Sequence, residues 1–146
     1  VFGVKNMKLI VFTDGGSRGN PGPAGIGVVI ADENGAQIKK YGQAIGVATN
    51  NEAEYQALIF ALKKVKALFG GAKAEQMELE VRMDSELAVK QLSHEYKIVE
   101  PHIQALFLQV WNLMIDFGAI NFIAIPREEN KEADRLVNEA VDEALQ

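Results

Sequence analysis

Ile10-Val11-Phe12-Thr13-Asp14-Gly15-Gly16 decides how this chain reads. Leu9 to Phe12 is an unbroken apolar run, the pattern of a strand covered on both faces. It delivers an aspartate to the end of that strand, directly ahead of two glycines. A carboxylate at the rim of a core is costly to desolvate unless something pairs with it. The plain alternative is a turn residue before Gly15-Gly16. Three further acids, Glu54, Asp84 and Asp134, stand at comparable junctions. Four acids meeting at one rim would make a site for a hard cation, and such a site points to phosphate chemistry.

Outward from that strand, Lys8 to Asp14 reads as strand one and Gly15 to Gly25, with Pro21 and Pro23, as a turn-rich stretch. Ile26 to Ala31 reads as strand two. Asp32-Glu33-Asn34-Gly35 is a hairpin signal, and Gln37 to Ile45 reads as strand three. Thr49-Asn50-Asn51-Glu52 is a capping-box pattern opening a helix, in which Leu58, Ala61, Leu62, Val65 and Leu68 recur at helical spacing until Gly70-Gly71. Met77, Leu79, Val81 and Met83 alternate with Glu78, Glu80 and Arg82, which marks strand four. A short helix is expected over Ser85 to Ser93, and a longer one from Pro101 to about Phe117-Gly118. Ala119 to Ile125 reads as strand five, and Asn130 to Leu145 as a last helix with Ala133, Leu136, Val137, Ala140 and Val141 inward.

The order βββαβααβα predicts an α/β protein with a five-stranded mixed sheet, order 3-2-1-4-5, flanked by helices. The meander lies on one side of strand one, and strands four and five, reached by right-handed crossovers, lie on the other. That places a topological switch point at the carboxyl end of strand one, where open α/β sheets hold their ligands. Asp14 and Asp84 would then end neighbouring strands, about 5 Å apart.

Each acid has a bland reading beside the functional one. Glu54 precedes Leu58 by one turn and so faces the sheet, but a first-turn acid also favours the helix dipole, a task that suits Glu52 better. Asp84 or Ser85 could cap the following helix. Asp134, at the border of the last helix's apolar stripe, could be a solvated charge paired with Arg135 or Lys131. Their joint placement around one switch point is what favours the functional reading. Clustered carboxylates repel one another, and magnesium or manganese, which take oxygen ligands, would remove that cost. Two such ions about 4 Å apart can activate a water and stabilise the leaving oxygen of a phosphodiester.

Composition sets outer limits. The chain has 146 residues, 48% of them hydrophobic, which suits one domain with a real core. A net charge of −5 argues against gripping nucleic acid by bulk positive charge, though bound metals could supply it locally. There is no cysteine, so disulfides, zinc-thiolate sites and thiol nucleophiles are excluded, and a reducing cytoplasm is the expected location. The longest apolar stretch, Ala105 to Phe117, is interrupted by Gln109, Asn112 and Asp116, so no membrane span is expected. Residues 1–6 read as a cloning remnant or disordered N-terminus, and 7–146 as the domain. The glycine stretch lacks Gly-Lys-Ser/Thr and is no nucleotide P-loop, and Gly25-Ile26-Gly27 leads into a strand, unlike a dinucleotide fingerprint. Lys63, Lys64 and Lys66 read as a solvated face.

Thr13-Asp14-Gly15-Gly16-Ser17-Arg18-Gly19-Asn20-Pro21-Gly22-Pro23-Ala24-Gly25 resembles the opening motif of the type 1 ribonuclease H family, with the ribonuclease H-like fold. Thr49-Asn50-Asn51-Glu52-Ala53-Glu54, Met83-Asp84-Ser85, and Arg127 through Asn130 to Ala133-Asp134 extend the resemblance from Met7 to Leu145. It implies an endonuclease that hydrolyses the RNA strand of RNA–DNA hybrids by a two-metal-ion mechanism, leaving 3′-hydroxyl and 5′-phosphate ends. Asp14 would bridge both magnesium ions, with manganese as a substitute, while Asp84 and Asp134 would each ligate one. Glu54 would hold a water at the metals and contact the 2′-hydroxyl beside the scissile phosphate, the group that distinguishes RNA from DNA. Gly15, Gly16, Ser17, Asn20, Thr49, Asn50, Asn51, Arg127 and Asn130 would line the substrate groove.

Two departures stand out. The loop Ile125-Pro126-Arg127-Glu128-Glu129-Asn130 lacks the histidine many members carry, leaving Arg127 in its place. Ser93 to Pro101 is too short for the basic, tryptophan-bearing protrusion of other members, and Trp111 is expected in the core. His94 and His102 are expected at the surface. The expected partner is an RNA–DNA hybrid, with double-stranded RNA left open, acting on a monomer without an obligate protein partner. Rival readings are a non-catalytic hybrid or structured-RNA binding module, and another nuclease of the same broad fold.

Overall fold

The computed structural model describes residues 7–146; the expectation for residues 1–6 lies outside the described residues. Five strands, β1 (Lys8–Ser17), β2 (Gly22–Asp32), β3 (Gln37–Ala48), β4 (Glu78–Met83) and β5 (Ala119–Ala124), form one sheet in the order β3-β2-β1-β4-β5. β1 to β3 run antiparallel, whereas β4 and β5 join β1 in parallel. The helices are α1 (Asn50–Phe69), α2 (Gly71–Ala74), α3 (Glu86–Leu92), α4 (Pro101–Met114) and α5 (Lys131–Ala144). The topology read from the sequence is therefore the topology observed.

The core lies between the sheet and α1, where Leu9, Val11, Val28, Ile30, Leu79 and Val81 pack against Tyr55, Leu58, Leu62 and Val65. α1 begins as its capping box dictates. Thr49 Oγ1 accepts the Glu52 N–H at 3.2 Å, and Glu52 Oε1 accepts the Thr49 N–H at 3.0 Å. It ends at Gly70, whose φ of 87° few other residues tolerate. α5 covers the opposite face over β2 and β3.

Two expectations need correction. The stretch from Gly15 to Gly25 is not one long turn: β1 and β2 continue as a pair through Gly16↔Gly25 and Ser17↔Ala24, and only residues 18–21 reverse the chain. The glycines serve close approach instead. A Cβ on Gly15 would run into the Ala53 carbonyl and lie 2.5 Å from the Glu54 nitrogen, so only glycine lets α1 rest on β1 there. Trp111 is not in the core but 61% exposed, beside Leu108 and Ile115, which are also exposed. α4 is apolar nearly all round, and it is Ile103 and Val110 that face inward. His94 and His102 are exposed, as expected. Among the described residues no helix is long and apolar enough to cross a membrane.

Candidate active site

Three of the four acids meet. One carboxylate oxygen from each of Asp14, Glu54 and Asp84 lies within 4.8 Å of the other two. The local causes can be followed residue by residue. Asp14 sits one residue beyond Thr13↔Met83, where the parallel β1–β4 ladder ends, and Asp84 follows Met83 on the neighbouring strand. Glu54 arrives from above because α1 rests on Gly15. Asp134 is outside that mutual set, yet its charge helps to raise the Asp14 carboxyl. α5 carries it there by seating on glycines: a Cβ on Gly27 would collide with the Ala133 carbonyl, and one on Gly42 would stand 2.8 Å from the Leu136 carbonyl oxygen.

The bland readings of Asp14, Glu54 and Asp84 fail one by one, and the Arg135 pairing offered for Asp134 is not made. Asp14 is not in a turn, since β1 continues to Ser17. Glu52, not Glu54, completes the capping box. Ser85, not Asp84, caps α3, its Oγ accepting the Ala88 N–H at 3.2 Å. Arg135 pairs with Glu132 and Glu139 rather than with Asp134.

Burial and mutual repulsion dominate the electrostatics. Burial, then the charges of Asp84 and Asp134, push the Asp14 carboxyl up to about 8, while the Gly15 backbone pulls the other way. Glu54, 7% exposed, is held well above the usual carboxylate range by burial first and by Asp14 and Asp84 next, with Gly15 and Arg127 opposing. Glu54 Oε2 is buried without a hydrogen-bond partner. A buried acceptor left open, amid acids that repel one another and offer only oxygen, fits a hard divalent cation.

Asn130 takes a place the sequence did not foretell. It was expected to line the groove, but it is 1% exposed. Its Nδ2 donates to the Thr13 carbonyl at 2.9 Å and to Asp84 Oδ2 at 3.2 Å. It occupies the N-cap position of α5 without capping it: its Nδ2 is committed across the site, and its Oδ1 is buried without a partner. It thus positions Asp84 and satisfies the carbonyl that β1 leaves open where its ladder ends. Nothing in the sequence signals a partner 117 residues away.

The other expected groove residues gather at the start of α1. Asn50 Oδ1 accepts the Ser17 N–H at 2.9 Å, and Asn20 Oδ1 accepts the Asn50 N–H at 3.0 Å. Gly15, Gly16, Ser17, Asn50 and Arg127 border a groove of about 270 Å³ running to α5. Thr49 spends its hydroxyl on the cap, and Asn51 Oδ1 is buried without a partner. Tyr55 donates to Gln91 Oε1 at 2.9 Å, tying α3, which follows Asp84, to α1, which carries Glu54.

A family model for reverse transcriptase-like proteins matches residues 12–140. The chain is 43% identical over 141 residues to the bifunctional protein Rv2228c of Mycobacterium tuberculosis, covering 96% of this chain but 37% of that protein. It is 40% identical over 137 residues to ribonuclease HI of Halobacterium salinarum, covering 94% of this chain and 66% of that one. The chain thus spans 37% of the length of the mycobacterial relatives it matches. Among solved structures, LC11-RNase H1 in complex with an RNA/DNA hybrid superposes with a TM-score of 0.90 at 49% identity, covering 94% of this chain and 99% of that one.

Proposed function

The chain belongs to the reverse transcriptase-like family, as a type 1 ribonuclease H, and from that premise we propose that it hydrolyses the RNA strand of RNA–DNA hybrids. The reaction is endonucleolytic and leaves 3′-hydroxyl and 5′-phosphate ends. The observation that carries this reading is the meeting of Asp14, Glu54 and Asp84, with Glu54 Oε2 buried and open.

Asp14, Glu54, Asp84 and Asp134 would hold two divalent ions, magnesium by preference and manganese as a substitute. The ions would supply Lewis-acid stabilisation of the scissile phosphate and a more acidic attacking water. The chain's own residues do the rest. Asp14, whose carboxyl feels the charges of both Asp84 and Asp134, would be shared between the two ions. Asn130 keeps the Asp84 carboxylate turned toward the centre. Glu54 orients the attacking water and accepts from the 2′-hydroxyl of the ribose, which selects RNA. Arg127, whose charge offsets that of Glu54, meets the phosphate where other members use a histidine. Asn20 and Asn50, joined to each other and to Ser17 at the start of α1, receive the nucleic-acid backbone. The protein acts in the cytoplasm as a monomer.

The test is cleavage of three sequence-matched duplexes, hybrid, all-RNA and all-DNA, with magnesium or manganese, followed by end analysis. Cutting confined to the RNA of the hybrid is the expected result. Equal cutting of all-DNA, or binding without cutting, would overturn the reading.

A further inference from the structure

Arg18 is among the residues of the groove that the functional reading leaves without a task. It sits in the 18–21 reversal, which is fixed to α1 by the contacts of Ser17 and Asn20 with Asn50. Its side chain leaves that loop, spans the groove and reaches α5 on the other side. There the guanidinium pairs with Asp142 Oδ1 at 2.6 Å and donates to the Asn138 carbonyl at 3.4 Å. Both partners of the ion pair are well exposed, at 41% and 61%. A pair in that setting contributes little to stability and exchanges readily for a better acceptor.

The charge balance makes the position unusual. The chain is acidic overall and has four arginines, of which two, Arg18 and Arg127, border this one groove. Lysines are nearly three times as numerous, and none of the described ones lines it. Arginine presents a planar fork that matches a phosphate at two points, whereas the Asp142 contact uses one nitrogen.

We propose that Arg18 is a phosphate-binding residue of the nucleic-acid groove, parked on Asp142 in the free protein and transferred to a backbone phosphate of the hybrid on binding. This rests on the hybrid-cleaving function and adds to it the anchor for a phosphate away from the metal centre. Asp142 is then a competitor for the guanidinium rather than a support. The exchange trades one exposed ion pair for a bidentate charge-assisted contact and frees the groove between the loop and α5.

Binding of a short fluorescent hybrid across a salt series separates the possibilities, using the Asp14→Asn protein so that the hybrid stays intact. Arg18→Ala should weaken binding several-fold and flatten the dependence of log K on log salt by about one, as for loss of one phosphate contact. Asp142→Asn should bind as well as or better than the parent, and should lose that effect when combined with Arg18→Ala. If Arg18 were only a strap holding loop to helix, both single variants would weaken binding alike with unchanged salt slopes, and the proposal would fall. Unchanged binding by Arg18→Ala would also overturn it. Absence of hybrid binding by the folded parent at every salt concentration would instead remove the functional reading, and this one with it.

Discussion

Asp14→Asn separates charge from shape at the centre of the site. In the metal-free protein the Asp14 carboxyl is pushed from 3.8 up to about 8. Between those values the folded chain holds a proton that the unfolded chain releases, so stability falls as pH rises through that window. The loss is absent at or below about pH 4 and complete by about pH 9. Four units at about 1.4 kcal/mol each give an upper limit of about 5–6 kcal/mol. Glu54, also raised, shares the field and relaxes with it, so we expect about 2–4 kcal/mol. Asparagine keeps the shape and carries no charge. The variant should therefore match the parent at about pH 4 in EDTA and exceed it increasingly toward pH 9, by on the order of 5–15 °C in Tm for a chain of this size. Magnesium offsets most of that gap, because only the parent gains from an ion it binds, by about 2.7 kcal/mol at a hundred times Kd. Thermal unfolding by circular dichroism, in EDTA and in magnesium across that range, reads both effects, and cleavage should be abolished throughout. A variant that is less stable at pH 9 in EDTA, or a gap that does not change with pH, would refute the claim that repulsion among buried acids shapes this site.

Gly15→Ala drives a Cβ into the Ala53 carbonyl, so α1 must shift and take Glu54 with it; we expect about 1–3 kcal/mol of destabilisation and a large fall in cleavage, and wild-type values of both would contradict the packing. Asn130→Ala strips the Thr13 carbonyl and Asp84 of their shared donor, and should cost about 1–3 kcal/mol in denaturant unfolding while weakening magnesium binding measured by calorimetry. Thr49→Ala removes the α1 cap and should lower stability by about 1 kcal/mol with the site's acids untouched. Trp111→Ser, at an exposed position, should change stability by no more than about 0.5 kcal/mol, and a core-sized loss would place the indole inside after all.

The signals that were legible in the sequence are local ones. Period-two alternation from Met77 to Met83 describes a strand whose Leu79, Val81 and Met83 are indeed buried. The Thr49–Glu52 pair specifies its own cap within four residues. The helical spacing that places Glu54 on the face of Leu58 follows from 3.6 residues per turn. What was hidden depends on partners remote in the chain. Glycine and proline between Gly15 and Gly25 read as a turn, because one sequence cannot tell a glycine that bends the chain from one that lets a helix close onto it. α4 gives no inward direction, because Leu106 to Met114 offers an apolar residue on almost every side, and only docking against α1 chooses Val110 over Trp111. Asn130 looks like a loop amide until Thr13 and Asp84 are seen on either side of it.

The same contrast explains why the acids assemble at all. Nothing about four carboxylates draws them together, and in the metal-free chain Asp84 and Asp134 both oppose the charge of Asp14. Their approach is imposed by contacts that carry no charge. Gly15 brings the α1 backbone down, Gly27 and Gly42 bring the α5 backbone down, and the parallel ladder ending at Thr13↔Met83 sets two strand ends side by side. Apolar burial behind them, from Leu9, Val11, Leu58 and Leu79, supplies the free energy that holds the backbones in place. The site is therefore preorganised for a cation by packing energy, and its residual repulsion is the reason an ion should bind it. A chain that kept all four acids but replaced Gly15 and Gly27 would keep the motif and lose the arrangement, which is why the small residues between the acids carry as much of the function as the acids do.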